Sequence, residues 1–295
     1  MEIEVRDLRK SFGRVDALRG LSFGVAEGQR LAIVGPNGSG KSTLNRVLLG
    51  LLAYRGEVRI GGADAFSERA QIAQRIAYVP QLAPALAVPV AEWIRAVTRL
   101  RGLAEGAIAG QAERLGLALA PLASRPFRAL SGGTRQKLLV ALALAAEPSL
   151  LILDEPTGSL DPESRARVLE LVDELPRSTT VLLCSHRLSE IQQLVDEVLA
   201  LAEGAITSRG PLRSYLDATL HSVIEVAATA GASAWLAEHA FRRGAGGWWL
   251  RSVAREQKLA LLAEIPAALG DDLRDVCVRD GEALPVRAAE DPHAA

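Results

Sequence analysis

Residues 30–52 read RLAIVGPNGSGKSTLNRVLLGLL, and this stretch decides the fold. Arg30–Val34 is a short apolar run of strand length. Gly35-Pro36-Asn37-Gly38-Ser39-Gly40-Lys41-Ser42 follows and fits G-x-x-x-x-G-K-[ST]. From Thr43 an apolar helix continues over TLNRVLLGLL. The chemistry needs all three parts in this order. Glycines let the backbone wrap phosphates, so that successive N–H groups and the helix N-terminus face the anion. Lys41 then reaches the β- and γ-phosphates, and the Ser42 hydroxyl can coordinate Mg²⁺. The segment from Gly35 to Thr43 is therefore a nucleoside triphosphate cradle.

Further along, LLILDE at 150–155 is an apolar strand ending in two carboxylates. Alone it would read as the entry to a solvated loop. Beside the cradle it becomes the second half of one site: Asp154 would hold the metal through water, and Glu155 would orient or deprotonate the attacking water.

The surrounding chain alternates short strands and helices. Strands are expected at EIEVRDL, LSFGVAEG, GEVRI, Ile76–Val79, Ser149–Leu153 and Thr180–Cys184. Helices are expected across Pro89–Leu119, Leu138–Ala146 and Arg165–Leu175. That alternation predicts an α/β fold with a mostly parallel sheet covered on both faces. A change comes near Gly210-Pro211. Beyond it the order HSVIEVAA, ASAWLAEHAF, WWLRSVA, EQKLALLAEI, RDVCVRD reads as strand, helix, strand, helix, strand, a small α+β domain. The expected division is 1–215 for the nucleotide-binding domain, 216–282 for the accessory domain and 283–295 for a loose tail.

Composition narrows the class. An apolar fraction of 49% in 295 residues supports a substantial core. The 34 basic and 35 acidic residues leave a net charge of −1, so no global field favours nucleic acid. Two distant cysteines, Cys184 and Cys277, imply no disulfide framework and suit a reducing cytoplasm. The longest apolar run, Leu138–Ala146, stops far short of the roughly 20 residues that span a bilayer. The charged start, MEIEVRDLRK, does not read as a secretory signal. Cys184-Ser185-His186 has metal-ligand spacing but lacks further ligands, and His221, His239 and His293 form no set with it.

Other segments carry a family resemblance. LSGGTRQK at 130–137 resembles the LSGGQ signature of ATP-binding cassette (ABC) transporter ATPases, placed shortly before the Asp-Glu strand as in that family. Gln81 in YVPQ, Gly158-Ser159-Leu160-Asp161, and His186 in LLCSHR stand where the family has its Q-loop, D-loop and switch histidine. Phe12, in SFGRVDAL, stands where the family stacks an aromatic ring on adenine. These motifs cover roughly residues 1–215. Thr134 departs from the more familiar glutamine, while Ser131-Gly132-Gly133 is intact.

The resemblance implies a phosphate-loop NTPase cassette with antiparallel N-terminal strands and a helical subdomain. It implies ATP and Mg²⁺ as cofactors, Glu155, His186 and Gln81 in catalysis, and Ser42, Gln81 and Asp154 at the metal. It also implies a homodimer, in which Ser131, Gly132, Gly133 and Asp161 of one copy complete the nucleotide site of the other, Ser131 and Gly133 touching the γ-phosphate. A multi-span membrane permease is the expected further partner; the apolar residues of the segment after Gln81, LAPALAVPVAEWIRAV, including Trp93, are either its contact or buried in the helical subdomain. The expected location is the cytoplasmic face of the cell membrane, and no nucleic acid is expected. The alternative is a soluble cassette ATPase with a non-membrane partner, but the chain has neither the paired cassettes nor the coiled-coil insertion common there. Among transporters it resembles the ATPase subunits of single-cassette exporters, including that of the nitrous-oxide-reductase copper-site maturation system, with an importer as the alternative direction.

Overall fold

Every residue of Arg30–Val34, Leu150–Asp154 and Thr180–Cys184 is buried, as strands covered on both faces require. The computed structural model describes residues 1–282; the expected tail 283–295, with His293, lies outside them. In chain order the first unit contains β1 (Ile3–Phe12), β2 (Val15–Val25), β3 (Arg30–Val34), α1 (Lys41–Leu48), β4 (Arg55–Ile60), β5 (Ala63–Asp64), α2 (Arg69–Ala73) and β6 (Ile76–Val79). It continues with α3 (Val90–Arg101), α4 (Ala107–Arg114), α5 (Gly132–Ala145), β7 (Leu150–Asp154), α6 (Pro162–Asp173), β8 (Thr180–Cys184), α7 (Leu188–Leu194), β9 (Glu197–Ala202) and β10 (Ala205–Pro211).

Two sheets organise this unit. One runs β2-β1-β4-β5 and is antiparallel throughout. The other runs β10-β9-β3-β8-β7-β6, parallel except for β10 at its edge. This is the phosphate-loop NTPase architecture, with α3 to α5 supplying the helical part. Parallel pairing brings the carboxyl ends of β3, β8, β7 and β6 to one edge of the sheet. The loops that follow those four strands carry the cradle, His186, Glu155 and Gln81. Ligands of open α/β sheets bind along that edge.

Helix α1 is shorter than its apolar run suggests. It ends at Leu48 because Gly50 turns the chain with φ 67°, and a Cβ there would lie 2.4 Å from the Ala65 carbonyl oxygen. Helix α5, conversely, begins at Gly132, so LSGG is a helix start rather than a loop before one.

A buried arginine ties the foot of β3 to α6. Arg30 is 1% exposed and donates to Asp173 Oδ1 (2.7 Å) and to the carbonyls of Asp173 (3.1 Å) and Leu175 (3.2 Å), which end α6. Arg30→Met fills the same space but strips those acceptors of their donor. We expect it to cost about 3 kcal/mol in urea unfolding. A loss below about 1 kcal/mol would mean that water replaces the guanidinium.

The second unit runs from Arg213 on. After α8 (Leu212–Thr219) come β11 (Leu220–Ala228), α9 (Ser233–Glu238), β12 (Arg242–Arg243), β13 (Trp249–Ala254), α10 (Arg255–Leu269) and β14 (Leu273–Glu282). The expected strand–helix–strand–helix–strand order is corrected by one strand. The two exposed arginines of β12 pair with Leu250 and Trp249, giving a βαββαβ unit with sheet order β12-β13-β11-β14. Two exposed residues carry no periodicity, so the pattern could not announce them. The core of this unit gathers Ile224, Val226, Leu236, Phe241, Val253 and Ile265, together with Trp249. Among the described residues no helix is long and apolar enough to cross a membrane.

Candidate functional site

The cradle is closed by steric need at its glycines. A Cβ on Gly35 (φ 149°) would sit 2.1 Å from the Leu201 carbonyl oxygen, and one on Gly40 (φ 107°) 2.8 Å from that of Ala17. Only glycine lets β9 and β2 approach so closely while the loop curls. Lys41 Nζ donates to the carbonyls of Gly35 (2.6 Å) and Pro36 (3.1 Å), so its ammonium lies across the mouth of the loop.

A cleft of about 410 Å³ opens here, and Asn37–Thr43, Gln81, Asp154 and Glu155 all line it, with Val15–Ala17, Arg19 and Glu203. Residues more than a hundred apart in sequence thus meet because the parallel strands β3, β6 and β7 end together; His186, after β8, does not line the cleft and reaches it through Glu155. Phe12 is not brought into the cleft. It is 47% exposed on β1, with the Lys10 ammonium 5.1 Å from its ring centroid. Pro36 and Gly35 form the loop behind Lys41.

Asp154 is buried at the end of β7, where the Tyr78 hydroxyl donates to its Oδ2 at 3.3 Å. Burial, then the Asp154 charge, raises the Tyr78 phenol above its ordinary value, which keeps it a donor. The neighbouring Cys184 thiol is pushed up to about 12, by burial first and by Asp154 second. It is an inert thiol beside the Asn45 amide (3.3 Å) and not a metal ligand or nucleophile. Among the described residues no three His, Cys, Asp or Glu side chains gather at one point. The cleft instead offers a hydroxyl, an amide and a carboxylate from Ser42, Gln81 and Asp154, hard oxygen donors that suit Mg²⁺ when phosphate oxygens complete the shell.

Glu155 turns away from the strand with φ 47°, a left-handed conformation that Asp7, Glu147, Glu203 and Ala240 share, so strain alone does not mark the site. Its N–H donates to the Cys184 carbonyl at 2.8 Å, and its Oε1 lies 2.8 Å from Nδ1 of His186. A base carboxylate can only accept, which places the imidazole proton on Nδ1.

Ser131, Gly132, Gly133 and Asp161 line no part of this cleft. They form a second surface cluster. Ser131 caps α5, its Oγ accepting from the Thr134 N–H (3.2 Å) and lying 2.7 Å from the Thr134 hydroxyl. Asp161 caps α6, accepting from the Ser164 N–H (2.8 Å) and hydroxyl (2.6 Å), and those bonds hold its carboxyl below the usual carboxylate range. The two helix starts touch: a Cβ on Gly133 would meet the Ser159 carbonyl oxygen at 3.1 Å. Trp93, half-buried, lies against buried Phe127 with ring centroids 4.4 Å apart and the planes tilted by 57°, so it packs within the helical part. The large apolar residues exposed in that segment are Leu82, 83% exposed, and Val88.

Sequence reasoning missed Tyr78 and the buried carboxyl of Glu190. The hydroxyls of Thr157 and Ser185 bind Glu190 behind the site. A tyrosine one residue before the end of β6 was the available signal for the first; nothing local marked the second.

Comparison with known proteins supports one assignment. Residues 18–158 match the family described as ABC transporter. The chain is 32% identical over 240 residues to a phosphate import ATP-binding protein of Pyrobaculum aerophilum, covering 76% of this chain and 96% of that one. It is 36% identical over 216 residues to a Nod factor export ATP-binding protein of Ralstonia nicotianae, covering 70% and 66%. A solved ATP-binding subunit of an ABC transporter superposes with TM-score 0.66 at 26% identity, over 73% of this chain and 92% of the other.

Proposed function

Since the chain belongs to the ABC transporter family, as an ATP-binding and ATP-hydrolysing subunit, we propose that it works as a dimer driving a separate membrane permease. The observation that carries the reading is the convergence of Asn37–Thr43, Gln81, Asp154 and Glu155 on one cleft, while the Ser131 helix start faces solvent elsewhere. A γ-phosphate in the cradle needs donors on its open side, and an exposed, capped helix N-terminus from a second copy supplies them.

In the reaction the loop N–H groups and Lys41 hold the β- and γ-phosphates. Glu155 takes the proton of a water that attacks the γ-phosphorus as the bond to the β-phosphate oxygen breaks. His186, bonded to Glu155 through Nδ1, fixes the direction of that carboxylate. Ser42, Gln81 and, through water, Asp154 would hold Mg²⁺, which when bound would neutralise charge on the phosphates. Ser131 and Gly133 of the second copy face the γ-phosphate, and Asp161 of that copy steadies the junction.

The permease would dock on the exposed Leu82 and Val88 surface from the cytoplasmic face of the membrane. Export is the direction proposed, on the LSGG-x-RQKL form of the signature. Import is the second reading, favoured by the identity to a phosphate import protein. We expect tagged full-length chain, recovered from detergent-solubilised native membranes, to bring down a multi-span membrane protein in stoichiometric amount. Recovery of ribosomes or nucleic acid instead would move the chain to the soluble cassette ATPases.

A further inference from the structure

Glu190 is fully buried, in the first turn of α7, and the hydrolytic site described so far does not use it. A carboxyl group so far from water needs partners, and its partners are informative. Thr157 Oγ1 donates to Oε1, and Ser185 Oγ donates to Oε2 at 2.8 Å. Arg187 Nε lies 3.7 Å from Oε1, and the Arg187 N–H donates to Ser185 Oγ at 3.0 Å. Thr157 and Ser185 are themselves buried.

Thr157 stands two residues after Glu155, and Ser185 stands immediately before His186. One carboxyl group therefore binds, from behind, both loops whose front side chains meet at the 2.8 Å Glu155–His186 contact. His186 needs such support. Its side chain is 72% exposed, so packing does not fix its aim and its backbone must. The main-chain bond from Glu155 N–H to the Cys184 carbonyl joins the loops at their roots, and Glu190 joins them one step further out.

We propose that Glu190 is a positioning residue for ATP hydrolysis, clamping the Glu155 loop to the His186 loop so that the base and the imidazole stay in register. The inference rests on the hydrolytic reading of Glu155 and His186 given above. Glu190 is buried and lines no part of the cleft. Its effect passes through the separation of two groups whose geometry must hold to a fraction of an ångström. Glutamine at 190 keeps one carbonyl acceptor but replaces the other oxygen with a donor, so one of the two hydroxyls must turn from donating to accepting and the loop it belongs to must readjust.

The test is steady-state ATP turnover of the full chain with saturating Mg²⁺, comparing wild type, E190Q, H186A, the E190Q/H186A double variant and T157V. For E190Q we expect kcat to fall about 10- to 100-fold with KM for ATP within about twofold, since the phosphate cradle is untouched. With His186 already alanine, adding E190Q should lower kcat by less than about twofold more, because the group it aims is gone. A purely structural role would instead give losses that multiply, or a KM that rises as kcat falls, and either result overturns the proposal. T157V removes one hydroxyl and leaves the carboxyl in place, so it decides the matter if E190Q does not fold. It should show the same split at about 3- to 10-fold, and wild-type turnover overturns the clamp. If H186A itself turns over like wild type, the hydrolytic reading falls and the inference with it. If only E190Q and T157V match wild type, the inference falls alone.

Discussion

Glu155→Gln is expected to lower kcat for ATP by about 10³-fold while ATP still binds at wild-type affinity. Glutamine has the same length and shape. Its amide oxygen can accept from His186 Nδ1 as Glu155 Oε1 does at 2.8 Å. The left-handed backbone at this position and the N–H bond to the Cys184 carbonyl do not involve the side chain. What disappears is the ability to take a proton from water. Binding and chemistry therefore separate, and the ATP-bound state accumulates. On the proposed composite site the Ser131 helix start meets the γ-phosphate of another copy, so that state should be a dimer. Light scattering of the variant with saturating MgATP should give twice the mass seen with ADP. A monomer under those conditions would sink the composite site, and undiminished turnover would remove Glu155 from the base role.

Lys41→Ala acts at the earlier step. The ammonium bridges the Gly35 and Pro36 carbonyls across the loop mouth, at 2.6 and 3.1 Å, and a bound phosphate offers it a stronger acceptor. Charge-assisted hydrogen bonds of this kind are worth up to about 3 kcal/mol, or roughly 100-fold in affinity. Calorimetric titration with ATP should show that weakening, with kcat reduced as well. The contrast with Glu155→Gln is the diagnostic: one variant binds and does not turn over, the other scarcely binds. Wild-type affinity in Lys41→Ala would mean that the loop does not hold the phosphates.

The cradle was legible because everything it needs lies within about twenty residues of sequence: a strand, a glycine loop, a lysine and a helix start. Asp154-Glu155, Gln81 and His186 were legible one at a time, from strand ends and from resemblance. Their meeting was legible only through the resemblance, since it depends on the order β3-β8-β7-β6, which no periodicity encodes. Glu190 was hidden for a related reason. The segment LSEIQQL reads as an ordinary amphipathic helix, and the hydroxyl that reveals the role of Glu190 sits 33 residues earlier. Arg30 likewise reads as the polar flank of a strand until Asp173 and Leu175 are seen folded over it. Trp93 left two readings open, a docking contact or burial in the helical subdomain. An aromatic ring in the segment expected to meet a partner is already engaged by Phe127.

The C-terminal unit has one further property. Its first strand lies beside its last, with Leu220 directly opposite Glu282. The polypeptide thus enters and leaves this sheet at points about 5 Å apart. A gene could gain or shed such a unit with a single splice, with no need to reroute the chain around it. The same geometry governs protein engineering. A reporter or affinity handle joined just after residue 282 would start beside Leu220, where the chain enters this sheet, and not at the sheet's other end.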